Sequence, residues 1–314
     1  MDLGKQMERE MLEQPEVLKT NAPRYLDELR AAMAGKSFEM VLLTARGTSD
    51  HAALYAKYLV EIHLGIPVSL AAPSVITKYG TEMRYPNCLA VGISQSGAAP
   101  DVSEVIAHLR SQGHTTLAIT NTKGSRLAQE AEHSLILDAG PESAVAATKT
   151  YTASLLAIYQ LVRALGGDLP EPELPDDERM EQAREEATAA LGPILRCSPL
   201  FSLARGYSFC SAFETALKLM ECALLPCKAY STADFEHGPK ALATEGTAAI
   251  VFGDVPASLA DHGCTPVAAP PCSAGPSAPM CDVLFGQWLA LLAARARGID
   301  PDNPPVISKV TRTL

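Results

Sequence analysis

Short apolar runs alternate with longer stretches in which apolar positions recur every three or four residues. This alternation dominates the chain from about residue 40 to 165. The runs Met40–Ala45, Pro67–Ala71, Asn87–Ile93, Thr115–Thr120 and Ser134–Leu137 are bounded by Gly, Pro, Ser or Asn and read as strands. Helical spacing fills the intervals: about Asp50–Leu64, a short turn after Pro73, a helix ending near Gln112, a short one near Ser125–Glu132, and a long one over about Ala147–Leu165. Buried strands separated by helices predict a parallel sheet covered on both faces, a three-layer α/β arrangement. Residues 1–36 have amphipathic helical spacing, with breaks predicted at Gln14-Pro15 and Ala22-Pro23 because proline interrupts a helix interior.

The pattern then repeats. A Pro- and acid-rich stretch, residues 167–177, reads as a linker, and a charged helix over Glu178–Leu191 follows. V-L-L-T-A-R-G-T-S begins at Val41 and L-F-S-L-A-R-G-Y-S at Leu200. Each copy gives an apolar strand, Ala-Arg-Gly-x-Ser, and a helix bearing Lys and then Glu. An extended segment (Pro67–Ala71; Cys227–Ser231) and a buried strand (Asn87–Ile93; Thr247–Phe252) come next in both, so the chain reads as an internal duplication. The second copy then weakens. Gly253–Met280 is rich in Pro, Ala and Ser, with only Thr265–Ala269 resembling a strand, before a final helix over about Asp282–Arg297. The expected organisation is N-terminal helices at 1–36, a first subdomain at 37–166, a linker at 167–177, a shortened second subdomain at 178–298, and an extended tail at 299–314.

A net charge of −10 argues against a nucleic-acid partner and against an anionic membrane surface. An anionic ligand would therefore need a local device to hold it. The N-terminus is charged and lacks an apolar core segment, and no apolar run is long enough to span a bilayer. The eight cysteines form no C-x-x-C pair; they read as reduced packing thiols in a cytoplasmic protein, with no zinc site expected.

Three stretches carry candidate chemistry. Ser94-Gln95-Ser96-Gly97 lies between a buried strand and a helix, and Arg46-Gly47-Thr48-Ser49 ends a neighbouring strand. Backbone N–H groups, a helix N-terminus and hydroxyls in such turns suit a phosphomonoester, although ordinary capped helix starts have the same composition. Neither G-x-x-x-x-G-K-[ST] nor G-x-G-x-x-G is present, so nucleotide and dinucleotide sites are not expected. Glu142–Lys149 opens a helix and could close over a sugar, although an ordinary loop and helix cap fits the same residues equally well. Finally, Phe213–Pro239 combines Glu214, Lys218 and Glu221, spaced i, i+4, i+7 on one helix face, with His237 in a following turn. Acid, amine and imidazole could run proton transfers at neutral pH. The plainer reading is a solvated charged face and a loop histidine.

Taken together, A-R-G-T-S, I-S-Q-S-G, A-G-P-E-x-x-V-A-A-T-K, A-L-K-L-x-E, E-H-G-P and the D-x-P-P-x-x-x-K-V-T tail resemble the sugar isomerase (SIS) family. Its members nearest in motif are glucosamine-6-phosphate deaminases of SIS type and the isomerase half of glucosamine-6-phosphate synthase. The resemblance covers nearly the whole chain except Gly253–Met280. It implies two tandem SIS subdomains, each a Rossmann-like five-stranded parallel sheet flanked by helices, in a homodimer with the active site at the interface. It implies sugar-phosphate binding by Gly47, Thr48, Ser49, Ser94, Gln95, Ser96 and Gly97, and sugar contacts from Val145, Ala146 and Ala147. It also implies catalysis by Glu221 (the C1/C2 proton shuttle), His237 (ring opening, donated to the neighbouring subunit), Lys218 and Lys309, with the tail lying over the active site.

The chain departs from the synthases at Ala99 and Ala147, where a threonine and a serine would supply hydroxyl contacts. S-Q-S-G followed by Pro100-Asp101, and the D-P-D-x-P-P tail, lean toward the deaminases. The synthases' nucleophilic N-terminal cysteine has no counterpart before Cys88, so glutamine-dependent synthesis by this chain alone is not expected. The implied reaction is deamination of glucosamine-6-phosphate to fructose-6-phosphate and ammonia, chemistry that requires no metal or organic cofactor. The alternatives are a stand-alone isomerase, another aldose–ketose isomerase or deglycase, and a non-enzymatic sugar-phosphate sensor. The intact Lys218, Glu221, His237 and Lys309 weigh against the sensor.

Overall fold

The structure is a computed structural model that describes residues 3–273 and 275–309. The last five residues, and with them the end of the predicted tail, lie outside the described residues. The chain divides into two compact units. One comprises residues 16–142 and 149–172; the other comprises 3–15, 143–148 and 173–309.

In chain order the helices and strands begin with α1 (Lys5–Leu12) and α2 (Gln14–Met33). The first sheet follows, with β1 (Met40–Thr44), α3 (Thr48–Leu64), β2 (Val68–Leu70), α4 (Ser74–Thr77), β3 (Cys88–Ile93), α5 (Pro100–Ser111), β4 (Thr115–Thr120), α6 (Arg126–Glu130), β5 (His133–Ile136) and α7 (Lys149–Ala164). The second sheet's elements are α8 (Asp177–Arg196), β6 (Leu200–Ala204), α9 (Phe209–Ala223), β7 (Cys227–Ser231), α10 (Thr232–Glu236), β8 (Ala248–Phe252), α11 (Ser258–Asp261), β9 (Thr265–Ala269) and α12 (Pro279–Ala296).

The first sheet runs β2-β1-β3-β4-β5 and is parallel throughout. β3 is buried at every position, which explains why its sequence is a continuous apolar run rather than an alternation. One of its faces packs on α5 and α6 through Cys88, Ala90, Val102, Val105, Ile106, Leu109 and Leu127. The order reverses between β1 and β3, so the loops leaving their carboxyl ends flank a crevice, the usual ligand position in such sheets.

The second sheet repeats this order as β7-β6-β8-β9, also parallel. Among the described residues it has four strands, not the five expected. β7, β6, β8 and β9 are the counterparts of β2, β1, β3 and β4. In place of the counterpart of β5, the Pro-rich segment after β9 leads directly into α12. That helix is buried almost all round, from Pro279 to Leu291, so it serves as the central helix of its unit. Gly286 makes the fit possible, since a Cβ there would come within 2.1 Å of Thr215 Oγ1 on α9.

The predicted break at Ala22-Pro23 does not occur: α2 continues through Pro23. Leu18, Tyr25, Leu26, Leu29 and Met33 are buried along one side of that helix, and this packing outweighs the hydrogen bond that proline cannot donate. Likewise α8 runs past the predicted Leu191 through Pro193 to Arg196. All eight cysteines are thiols, and among the described residues no helix is long and apolar enough to cross a membrane.

Candidate active site

In the five-stranded unit the Ser94–Gly97 turn leaves the carboxyl end of β3, and Arg46–Ser49 leaves that of the adjacent β1. Gly97 has φ +61, and a Cβ there would lie 2.1 Å from Ser125 Oγ and 2.9 Å from Thr120 Oγ1. Only glycine satisfies both the backbone angle and the space. The turn is internally braced. Ser94 Oγ accepts from the Gly97 N–H at 3.2 Å, and Ser96 Oγ accepts from the Ala98 N–H at 3.3 Å. Gln95 O accepts from the Asn121 N–H and from Thr120 Oγ1. A hydroxyl that accepts can still donate, so Ser94 and Ser96 each keep an O–H for a ligand oxygen.

α5 begins at Pro100, whose missing N–H costs nothing at the first helical position. Ala99 stands at its N-cap and provides no side-chain cap. In the neighbouring loop Gly47 is the N-cap of α3, so Thr48 and Ser49 belong to the helix's first turn, slightly earlier than the predicted Asp50 start. The two loops are tied by an ion pair that the sequence reading did not single out. Arg46 Nε donates to Asp101 Oδ2 at 2.7 Å, and Asp101 is buried while Oδ1 accepts from the Val102 N–H. Glu142, also buried, accepts from the Thr150 N–H and Oγ1 and thereby secures the start of α7, and Lys149 beside it is buried.

The four-stranded unit holds the proton-transfer candidates. Glu214, Lys218 and Glu221 share one face of α9, but that face is not solvated. Glu214 and Lys218 are fully buried, which corrects the charged-surface reading. Lys218 Nζ lies 3.2 Å from Glu214 Oε1 and 2.5 Å from Glu221 Oε2. Burial alone would push the Lys218 pKa down. The carboxylates of Glu214 and Glu221 overcome that effect and hold it above the usual lysine value, so it stays an ammonium. Glu221 keeps 25% of its side chain exposed, which leaves its carboxylate reachable. Burial pushes the adjacent Cys222 thiol up to about 12, so it packs as a neutral group.

His237 caps the end of the five-residue α10 and is exposed. Lys309 Nζ donates to Ala144 O at 2.7 Å, which brings the tail onto the loop that contains Val145, Ala146 and Ala147. Ala146 is part of the hydrophobic core, so it can offer a ligand only its backbone; Val145 and Ala147 are half-buried. Sequence reasoning missed Glu10, a buried carboxylate of α1 that accepts from the Ser143 and Ala144 N–H groups of this loop. The signal was present, because Glu10 lies on the same helix face as the apolar Met7 and Met11, where a lone carboxylate is out of place.

Two parallel sheets of five and four strands, each flanked by helices, match the architecture of phosphosugar-isomerase structures. A candidate phosphosugar isomerase from Silicibacter pomeroyi DSS-3 superposes with a TM-score of 0.81 at 28% identity, covering 94% of this chain and 99% of that one. Glucosamine-6-phosphate deaminase from Thermotoga maritima shares the fold with a TM-score of 0.74 at 24% identity, covering 95% and 100%. Residues 39–164 match the SIS domain family, so the chain carries a SIS domain there. It is related to the isomerizing glutamine–fructose-6-phosphate aminotransferases. That of Methanothermobacter thermautotrophicus is 35% identical over 254 residues, 78% of this chain and 42% of the relative. Others match nearly the whole of this chain, and the chain spans about half the length of these curated relatives.

Proposed function

We propose that the protein converts glucosamine-6-phosphate and water to fructose-6-phosphate and ammonia. The observation that carries this reading is the Glu214–Lys218–Glu221 clamp. A buried ammonium fixes Glu221 while leaving its carboxylate partly exposed, as a base that shuttles one proton between adjacent carbons requires. In this scheme Ser94, Ser96 and Thr48 hold the phosphate. His237 moves a proton from the C1 hydroxyl to the ring oxygen, which opens the ring to the aldehyde. Glu221 removes the C2 proton and returns it to C1, while the aldehyde oxygen gains a proton and the amine gives one up, so that C1 becomes a hydroxymethyl group and the C2 amine an imine. Water adds at C2 and ammonia leaves, giving the ketone.

Lys218, with no exposed surface, acts by orienting Glu221 rather than by touching the sugar, a narrower role than its sequence position suggested. Lys309 serves the open-chain carbonyl or imine. The exposure of His237 supports its service to a neighbouring subunit in a homodimer. Ammonia and fructose-6-phosphate assays on pure protein test the proposal, with Glu221→Gln expected to abolish turnover and spare ligand binding. No product at high enzyme concentration would sink it. The names of the relatives favour a second reading, isomerisation without loss of nitrogen, which interconversion of aldose and ketose phosphates in the same panel would reveal.

A further inference from the structure

The helix α1 has three unrelated partners within its own unit. At its start the Gly4 N–H donates to Asp300 Oδ1 at 2.9 Å. Asp302 accepts from the Gln6 N–H at 2.7 Å and the Met7 N–H at 2.9 Å, closing the helix N-terminus with a carboxylate. Along its length Met7 meets Cys222, the residue after Glu221, with the two sulfurs 3.8 Å apart. One turn on, Glu10 is fully buried, and its carboxylate accepts from Ser143 N at 2.6 Å and Ala144 N at 3.2 Å, with Gln6 Nε2 also donating to it. The carbonyl of that same Ala144 receives Lys309 Nζ.

These contacts form a closed circuit. The tail is registered on α1 by Asp300 and Asp302, α1 is registered on the Glu221 helix by Met7, and the loop that anchors Lys309 is registered on α1 by Glu10. A carboxylate carried into a core is costly unless it satisfies donors that would otherwise be stranded. Here it orders the backbone of a loop that has no helix or strand of its own. Neither Ser143 nor Ala144 has a side chain able to do this work.

We propose that Glu10 is a positioning residue that sets Lys309, and the Val145–Ala147 segment beside it, relative to the helix bearing Glu221. This rests on the reading of Lys309 and Val145–Ala147 as substrate-facing. The test uses the full chain and two readouts besides turnover: hydrogen exchange at residues 143–148, and the acylation rate of Lys309 divided by that of exposed Lys123, both read by mass spectrometry. Loss of charge-assisted hydrogen bonds predicts for Glu10→Gln faster exchange at 143–144, a several-fold rise in the Lys309 ratio and about a tenfold fall in turnover, with exchange in α12 unchanged. Glu10→Ala should go further on all three, so that glutamine, which keeps one accepting oxygen, gives partial rescue. Asp302→Asn, which loosens the tail from the other end of α1, should raise the same ratio.

An unchanged Lys309 ratio in Glu10→Gln overturns the proposal even if turnover falls, because the loss would then be one of stability. An unchanged ratio in Asp302→Asn overturns the closed circuit. Should Glu10→Ala fail to fold, the glutamine variant decides. A wild-type protein inert toward every sugar phosphate sinks the functional reading, and the labelling ratio still decides this one.

Discussion

Replacing Lys218 by methionine removes the buried ammonium and keeps most of its volume. Glu214, fully buried, then loses the cation 3.2 Å from its Oε1, and Glu221 loses the one 2.5 Å from its Oε2. Removing one partner of a buried ion pair costs about 3–5 kcal/mol, far above the ~1 kcal/mol of a surface pair. Burial of an unpaired carboxylate favours its neutral form, so the penalty should shrink as pH falls. The wild-type contribution has a different profile. Because the folded pKa of Lys218 lies above its ordinary 10.5, the stability its charge supplies is complete below that value and lost only as pH rises beyond it.

Urea unfolding at several pH values is the assay, read by the fluorescence of Trp288, the single tryptophan, which is buried in the same unit. Glu214→Leu combined with Lys218→Met should recover most of the loss, since both buried charges go together. A penalty below ~1 kcal/mol at pH 8, with no recovery in the double variant, would mean that the triad behaves as a solvated surface pair, and the argument for an oriented Glu221 would fail.

Gly97→Ala must combine a left-handed backbone angle with a Cβ 2.1 Å from Ser125 Oγ; a loss of about 2–5 kcal/mol in unfolding free energy, with weakened sugar-phosphate binding by calorimetry, is expected. Asp282, pushed up to about 6 by burial, contributes stability that is present below its ordinary 3.8 and lost as pH rises through about 6. Asp282→Asn, which can still accept from Ser208 Oγ, should therefore stabilise the protein by roughly 1–3 kcal/mol at pH 8 and have little effect at pH 4 in the same unfolding assay. If His237 serves the partner's site, equal mixing of inactive His237→Ala and Glu221→Gln subunits should restore about a quarter of wild-type turnover, since half the dimers are mixed and each has one intact site. No restoration after subunit exchange would place His237 in its own subunit's site.

The strands were legible because buried parallel strands are apolar runs cut off by Gly, Pro, Ser and Asn. β4, β7 and β9 match the expected bounds, and the other strands differ by a residue or so at their ends. The second sheet repeats the strand order of the first, as the duplication implies. What escaped was set by packing between distant residues. Pro23 looks like a helix break until the burial of Tyr25 and Leu29 is weighed against it. Glu214 and Lys218 have the i, i+4 spacing of a solvent-facing pair, and only the packing around α9 shows that they are buried. Glu10 could be recognised as misplaced beside Met7 and Met11, but the loop residues it holds, Ser143 and Ala144, lie more than a hundred residues away. That the second sheet has four strands among the described residues was foreshadowed by the weak periodicity of Gly253–Met280, which read as a shortened copy, while the family resemblance implied five.

The central claim is that Glu221 carries a proton between adjacent sugar carbons. Glucosamine-6-phosphate deuterated at C2, incubated with the protein in ordinary water and followed by NMR, tests it most directly. The account predicts that deuterium leaves C2, that part of it appears at C1 of fructose-6-phosphate, and that Glu221→Gln stops the release while still binding the sugar phosphate. Deuterium that stays at C2, or release at the wild-type rate from Glu221→Gln, would contradict it.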